Sequence, residues 1–315
     1  MSAMLSLFGE MMMLYLIAIV GFITRKTRIL PDSSDYVLTQ LVLYITLPAL
    51  ILYSMDFPYD PKYLHDFGWL FALSLIAIVI ACSFGIILRK KATLPEDQKG
   101  VYEGLIVFGN QGFIGYAIIY ILLGEIGILY TAVFNFLYII LIWTYGIYVV
   151  GRSNASFSWK WLLLNPGVLA TTVGFIMFLL PFQWPASFHD LFKTVGLPTV
   201  PLSMLVIGVL LTNLNMNEIQ VYLCNKYLWS AVFTRLMFIP LCLVPFIMLP
   251  FHKILILVVV LVAATPSAPT IALYARKYGG DPYFASVGSS VSTILSILTI
   301  SFLYSLLKWL FLFYP

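Results

Sequence analysis

At 315 residues, 62% hydrophobic and only 10% charged, the chain has too few polar side chains to clothe an ordinary soluble domain. Its net charge of +4 comes from 17 basic against 13 acidic residues, and their placement beside apolar runs needs no nucleic-acid partner to explain it. What remains is a multi-pass membrane protein.

A helix needs about 20 apolar residues to cross the hydrocarbon of a bilayer. Ten such spans are read in order: Leu5–Thr24, Tyr36–Met55, Gly68–Leu88, Val101–Gly124, Gly127–Val150, Leu162–Pro181, Val195–Asn213, Tyr227–Leu249, Ile254–Ala275 and Tyr283–Leu307. No Lys or Arg precedes Arg25, so the first run reads as a retained helix and not as a cleaved signal. The connections after spans 1, 3, 5, 7 and 9 carry twelve basic residues, among them Arg25, Arg89, Lys90, Arg152 and Lys277; the other side carries Lys62, Lys193, Lys253 and Lys308. By the positive-inside rule the odd connections are cytoplasmic and both termini lie outside; the plasma membrane is the expected location.

Span 1 holds Glu10, shallow enough to reach the outer interface. Span 2 has Pro48 near its middle, and span 7 is likewise Pro-rich at Pro198 and Pro201. The outer loop Asp56–Tyr63 carries two acids and reads as a turn-rich cap. Glu103, at the start of span 4, is expected at the interface.

Span 4 is interrupted at Phe108-Gly-Asn-Gln-Gly-Phe-Ile-Gly-Tyr116. Its glycines weaken a helix, and Asn110 and Gln111 put amides where lipid offers no partner. Span 5 carries Asn135, which either bonds a neighbouring helix or lines a site. Span 8 holds Arg235; it either snorkels to the cytoplasmic side, the reading preferred, or presents a guanidinium to an anion.

Span 9 is interrupted at Thr265-Pro-Ser-Ala-Pro-Thr270. Each proline removes an N–H and clashes with the preceding turn, so a helix does not run unbroken through both. The freed carbonyls require protein or a wet cavity around them. Span 10 is rich in hydroxyls, and its face Ser289-Thr293-Ser296 suits close packing, with broken span 9 as one neighbour.

The two interruptions correspond. Each is followed by a turn with one acid, Gly124-Glu125 and Gly280-Asp281, and the shift that superimposes those turns sets Asn110 level with Pro266. An internal duplication follows, with residues 1–150 and 162–315 as five-span repeats joined by a short polar link at 151–161. An odd number of spans per half inverts the second copy, a plan recurrent in secondary transporters with broken helices at the substrate site.

Other chemistries find no footing. His65, His189 and His252 stand in separate loops without a second ligand at metal spacing. Cys82, Cys224 and Cys242 are scattered, and no Walker motif occurs. Asp60 and Asp281 fall on opposite faces by hydropathy, so they do not make an aspartyl-protease pair. The expectation is no enzyme, no metal and no cofactor.

In Leu41–Leu50, Phe108–Tyr116 and Ala263–Asp281 the chain resembles the auxin efflux carrier family, which joins bacterial malate and malonate carriers to the plant PIN exporters. The resemblance covers essentially the whole chain and is closer to the short bacterial members. It implies an all-α membrane protein of ten transmembrane helices in a five-plus-five inverted repeat, like the sodium/proton antiporter and bile-acid symporter folds. Spans 1, 2, 6 and 7 would form a scaffold that often homodimerises, and spans 3–5 and 8–10 a moving transport domain. Spans 4 and 9 would cross at their breaks beside a small organic anion, with Asn110 facing its carboxylate. In span 9, where the family often has an Asn, this chain has Thr265-Pro-Ser-Ala-Pro.

The expected substrate site gathers Gly109, Asn110, Gln111, Gly112 and Tyr116 from the first break, and Thr265, Pro266, Ser267, Pro269 and Thr270 from the second. Asn135 and Arg235 complete the candidates. Uniport, H+ symport and Na+ symport are all compatible with the sequence. A membrane receptor of the same fold is the competing class.

Overall fold

Apolar chain in lipid must satisfy its own backbone, and a helix does so within one segment. The computed structural model describes residues 2–56, 61–151, 164–180, 183–212 and 216–313, without the side chains of 2–11, 61, 62 and 216–219. Among these there is helix and no strand. The helices are α1 (Ser2–Lys26), α2 (Ser34–Ser54), α3 (Pro61–Lys91), α4 (Glu96–Val107), α5 (Gln111–Gly151), α6 (Pro166–Leu179), α7 (Ala186–Leu211), α8 (Met216–Leu223), α9 (Lys226–Met248), α10 (Lys253–Ala263), α11 (Thr270–Tyr278) and α12 (Pro282–Leu310). Six of the described helices are long and apolar enough to cross a membrane: α2, α3, α5, α7, α9 and α12. Two shorter ones, α6 and α10, are equally apolar. The link expected at 151–161 lies, beyond Gly151, outside the described residues, as does Asp60 and the side chain of Glu10.

Two of the four π-helical turns among the described residues precede a proline. The π-helical turn Val42–Thr46 in α2 stands just before Leu47-Pro48, and the π-helical turn Thr234–Phe238 in α9 just before Ile239-Pro240. Widening the turn before a proline relieves the clash of its ring with the carbonyl four residues back. α5 bends at Gly124, whose φ of 64° and ψ of −146° no helix permits. α11 ends on Gly279 at φ 91°, a left-handed cap in which the Gly279 and Gly280 amides both donate to Ala275 O. Asp281 then caps α12, its Oδ1 accepting from the Tyr283 and Phe284 amides at 2.9 Å, while Oδ2 accepts from Gln98 Nε2 and Tyr222.

The described chain divides into two compact units. The first comprises Met1–Phe71, Gly112–Phe136 and Lys160–Asn213; the second, Ala72–Gln111, Leu137–Trp159 and Leu214–Pro315. Spans 1, 2, 6 and 7 thus fall in the first unit and 8–10 in the second, while residues 112–136 join the first.

The first unit is held by glycines that admit backbone. A Cβ on Gly21 would strike Leu205, one on Gly208 would strike the Ala18 carbonyl, and one on Gly196 would lie 2.6 Å from Leu50 N. Close backbone approach of this kind is how helices associate where lipid removes the hydrophobic drive. Three acids in this unit are bonded. Asp66 accepts from the Tyr130 hydroxyl, Glu125 from Tyr53, and Asp56 from the Trp184 amide at 3.1 Å, with His189 Nδ1 2.6 Å away.

Gly208→Ala is expected to lower stability by about 2 kcal/mol, because backbone cannot yield to the new methyl as a side chain would. Gly68→Ala, where a Cβ meets nothing within 4 Å, is expected to be neutral or stabilising. Thermal unfolding of the two purified variants checks this; equal melting temperatures would refute the packing argument.

Candidate functional site at the crossed helix breaks

In the second unit, α4 stops at Val107 and Phe108 turns extended, with φ −102° and ψ 115°. Gly109 and Asn110 continue outside helix until α5 begins at Gln111. The other break runs from Ala264, which caps α10, to Pro269, which precedes α11. Pro266 has no N–H to give a helix, so the chain here runs as extended backbone.

The two extended stretches cross antiparallel and pair. The Asn110 amide donates to Pro266 O at 2.6 Å and the Ala268 amide to Phe108 O at 2.9 Å, bracketing Gly109 and Ser267. Side chains take up the backbone groups left over. Ser267 N donates to Ser292 Oγ at 3.0 Å, Ser267 Oγ donates to Leu105 O at 2.7 Å, and the Tyr138 hydroxyl donates to Gly109 O. Phe108, Asn110, Gln111, Thr265, Ser267 and Ser292 are all buried.

Arg235 points into this crossing. Its side chain is 2% exposed, which overturns the preferred snorkelling reading: the guanidinium turns toward protein because two helix ends there need donors. Nε donates to Thr265 O at 2.9 Å, Nη1 to Val107 O at 3.1 Å, and Nη2 to Thr265 Oγ1 at 3.3 Å. Val107 O is the last carbonyl of α4 and one of the orphan acceptors of its C-terminus, where a cation is also favoured by the macrodipole; Thr265 O belongs to the unwound backbone just past α10. Gly109 makes the approach possible: a Cβ there would fall on the guanidinium, with Cζ and Thr265 Oγ1 each at 2.5 Å.

Of the expected site residues, Gly109, Asn110, Gln111, Thr265, Pro266, Ser267, Pro269, Thr270 and Arg235 come together in this unit, with Pro269 and Thr270 half-buried. The Ser267 proton is committed to Leu105 O and the Thr265 proton to Val262 O, so both hydroxyls brace the breaks. Gln111 Oε1 is buried without a hydrogen-bond partner. Gly112, Tyr116 and Asn135 belong to the first unit. There the Tyr116 hydroxyl and Asn135 are near enough to interact, yet neither Tyr116 Oη nor Asn135 Oδ1 completes a hydrogen bond.

Glu103, expected at the interface, faces protein. It is fully buried, ion-paired with Arg89 Nη1 at 2.9 Å, and accepts from the Tyr145 hydroxyl. Tyr138 and Ser292 carry roles the sequence did not single out. The hydroxyls of Ser289, Ser292, Thr293 and Ser296 all donate back to their own helix, and that of Ser292 also accepts from the Ser267 amide. The signal for Ser292 was the hydroxyl run itself; the facing position depends on how α12 is rotated.

Ser292→Ala leaves the buried Ser267 amide without an acceptor and is expected to cost about 1–3 kcal/mol. Ser301→Ala, which removes a hydroxyl bonded only within its own helix, should change stability by a few tenths of that. Thermal or denaturant unfolding of the pair tests it, and equal effects would refute the bracing role.

A family model described as "Membrane transport protein" matches the chain twice, over residues 6–159 and 151–304. No curated protein matches the chain. With long apolar helices, two broken helices crossing in buried backbone, and that match across nearly the whole length, the chain is a multi-pass membrane protein and belongs to the membrane transport protein family.

Proposed function

We propose that this protein is a secondary transporter of a small organic anion, a carboxylate in the class of malate, malonate or an auxin-like acid, across the plasma membrane. The reading places it with the auxin efflux carriers. The observation that carries it is the pairing of two interrupted helices through Asn110 and Pro266, with amide side chains at the start of α5. A helix N-terminus offers unpaired N–H groups and positive potential to an anion. Asn110 and Gln111 stand at such a start, both buried, the Gln111 carbonyl oxygen with no donor. Among the described residues no carboxylate takes part in the crossing, so the formal charge there is that of Arg235.

The fuller reading is ten spans as a five-plus-five inverted repeat, alternating access of the elevator type, and a homodimer through spans 1, 2, 6 and 7. Spans 3–5 and 8–10 would move. Local symmetry at the crossing supports the repeat: the shift that carries Gly109 onto Ser267 also carries Asn110 onto Ala268 and Phe108 onto Pro266. It therefore interchanges the two hydrogen bonds of the bridge. That shift is two residues longer than the one read from the acidic turns. Residues on a pseudo-two-fold axis pair with their own counterparts, as in inverted-repeat transporters.

The test is thermal unfolding of the purified protein against mono- and dicarboxylates, followed by uptake of any hit into proteoliposomes. A carboxylate at a hundredfold excess over its Kd is expected to add about 2.7 kcal/mol of stability. Asn110→Ala is expected to abolish both this stabilisation and the uptake while leaving the ligand-free melting curve close to wild type. Gln111→Glu should weaken carboxylate binding at least about tenfold, since a like charge in a low-dielectric site costs more than 1.4 kcal/mol. Unchanged flux in Asn110→Ala would remove the site, and binding without flux would make the protein a receptor.

A further inference from the structure

We infer that Arg235 is a positioning residue that serves as the built-in cation of the crossing, so that the transporter assembles and runs without sodium at this position. The inference rests on the reading of the crossing as the transport site. In broken-helix transporters the carbonyls at half-helix C-terminal ends, with unwound backbone beside them, form the place where a coupling cation binds. Here the corresponding oxygens are Val107 O from the end of α4, Thr265 O from the unwound backbone just past α10, and Thr265 Oγ1. All three accept from one guanidinium, at 3.1, 2.9 and 3.3 Å.

Charge accounting agrees. Arg235 is buried, and among the described residues no carboxylate lies within ion-pair distance of it. A buried charge needs compensation. Two helix C-termini, each worth roughly half a negative charge, together offset about one positive charge. The cation and the paired helix ends therefore satisfy each other. A sodium ion added to the same oxygens would meet a guanidinium already in place.

The shape of the group matters as much as its charge. Val107 and Thr265 lie on different broken helices, and a planar fork with separate donors reaches both at once. A Lys in this position would bring a point charge and lose the two-ended hold. Gly109 completes the arrangement, since any side chain there would occupy the space of the guanidinium.

The experiment compares wild type, Arg235→Ala and Arg235→Lys, purified and free of any carboxylate, in NaCl, KCl and choline chloride at equal ionic strength. Wild type is expected to melt at the same temperature in all three salts. Arg235→Ala should melt at least about 5 °C lower and regain half or more of that loss with methylguanidinium, but not with tetramethylammonium. A residue that merely fills space would show no such selectivity. Arg235→Lys should fall between the two and covers the case in which the alanine variant does not fold. In proteoliposomes at clamped potential, wild-type carboxylate uptake should be indifferent to a sodium gradient.

Sodium-selective stabilisation of the wild type, sodium-driven uptake, an unshifted Arg235→Ala, or an Arg235→Lys that melts with wild type would each overturn the inference. The melting readouts involve no carboxylate. If Asn110→Ala leaves substrate binding intact, the substrate site is wrong while the Arg235 result still stands or falls by itself.

Discussion

The second unit depends on one constraint: two helices stop inside protein, and every backbone group released there must find a partner. A lone interrupted helix in an apolar setting would leave several such groups bare, each costing kilocalories. Crossing the two interruptions lets each break supply what the other lacks. Asn110 N and Phe108 O pair with Pro266 O and Ala268 N, and the remaining acceptors at Val107, Thr265, Gly109 and Leu105 draw donors from Arg235, Tyr138 and Ser267. Proline at 266 fits because its missing N–H points to a position where the bridge requires only a carbonyl.

This economy also explains which residues can vary. Gly100 and Gly104 bring α4 up against Val149 and Ile271, and Gly288 brings α12 up against Leu105 of α4, and so they set how close the neighbouring elements come to the break. Gly109 sets how close Arg235 comes. The hydroxyls of Ser267, Ser292 and Thr265 are each donor and acceptor at once, a capacity that neither Ala nor Val supplies. The geometry of the crossing therefore rests on small residues whose hydrogen bonds are largely directed at backbone.

Much of the architecture was legible because its causes are local. Apolar length fixes where helices run, and Gly or Pro fixes where they stop: both interruptions fall inside the segments where glycine, amide and proline cluster. The turns at Gly124 and Gly279 follow from the same residue chemistry. Rotation about a helix axis was not legible. Composition places Arg235 within a span but does not tell whether it turns to the interface or to the crossing, and the burial of Glu103 against Arg89 and Tyr145 was hidden for the same reason. Ser292 rather than Ser289 meets Ser267 because of a helix orientation that packing decides. A residue's depth in a span is a sum over sequence, whereas its facing depends on neighbours far away in the chain.

The contrast between Glu103 and Arg235 carries the argument one step further. Both are buried ionisable groups of the second unit, and they are neutralised differently. Glu103 has a formal counter-ion in Arg89, whose side chain is 39% exposed, and a hydroxyl from Tyr145. That pair can exchange with solvent, and its electrostatics are screened accordingly. Arg235 has no such partner among the described residues; its charge is met by oriented carbonyls that cannot leave without unravelling α4 and α10. A charge balanced by backbone dipoles is permanent for as long as the breaks persist. A group approaching the crossing therefore meets a guanidinium and two backbone carbonyls already committed to one another, held by the fold itself and not by a second ion.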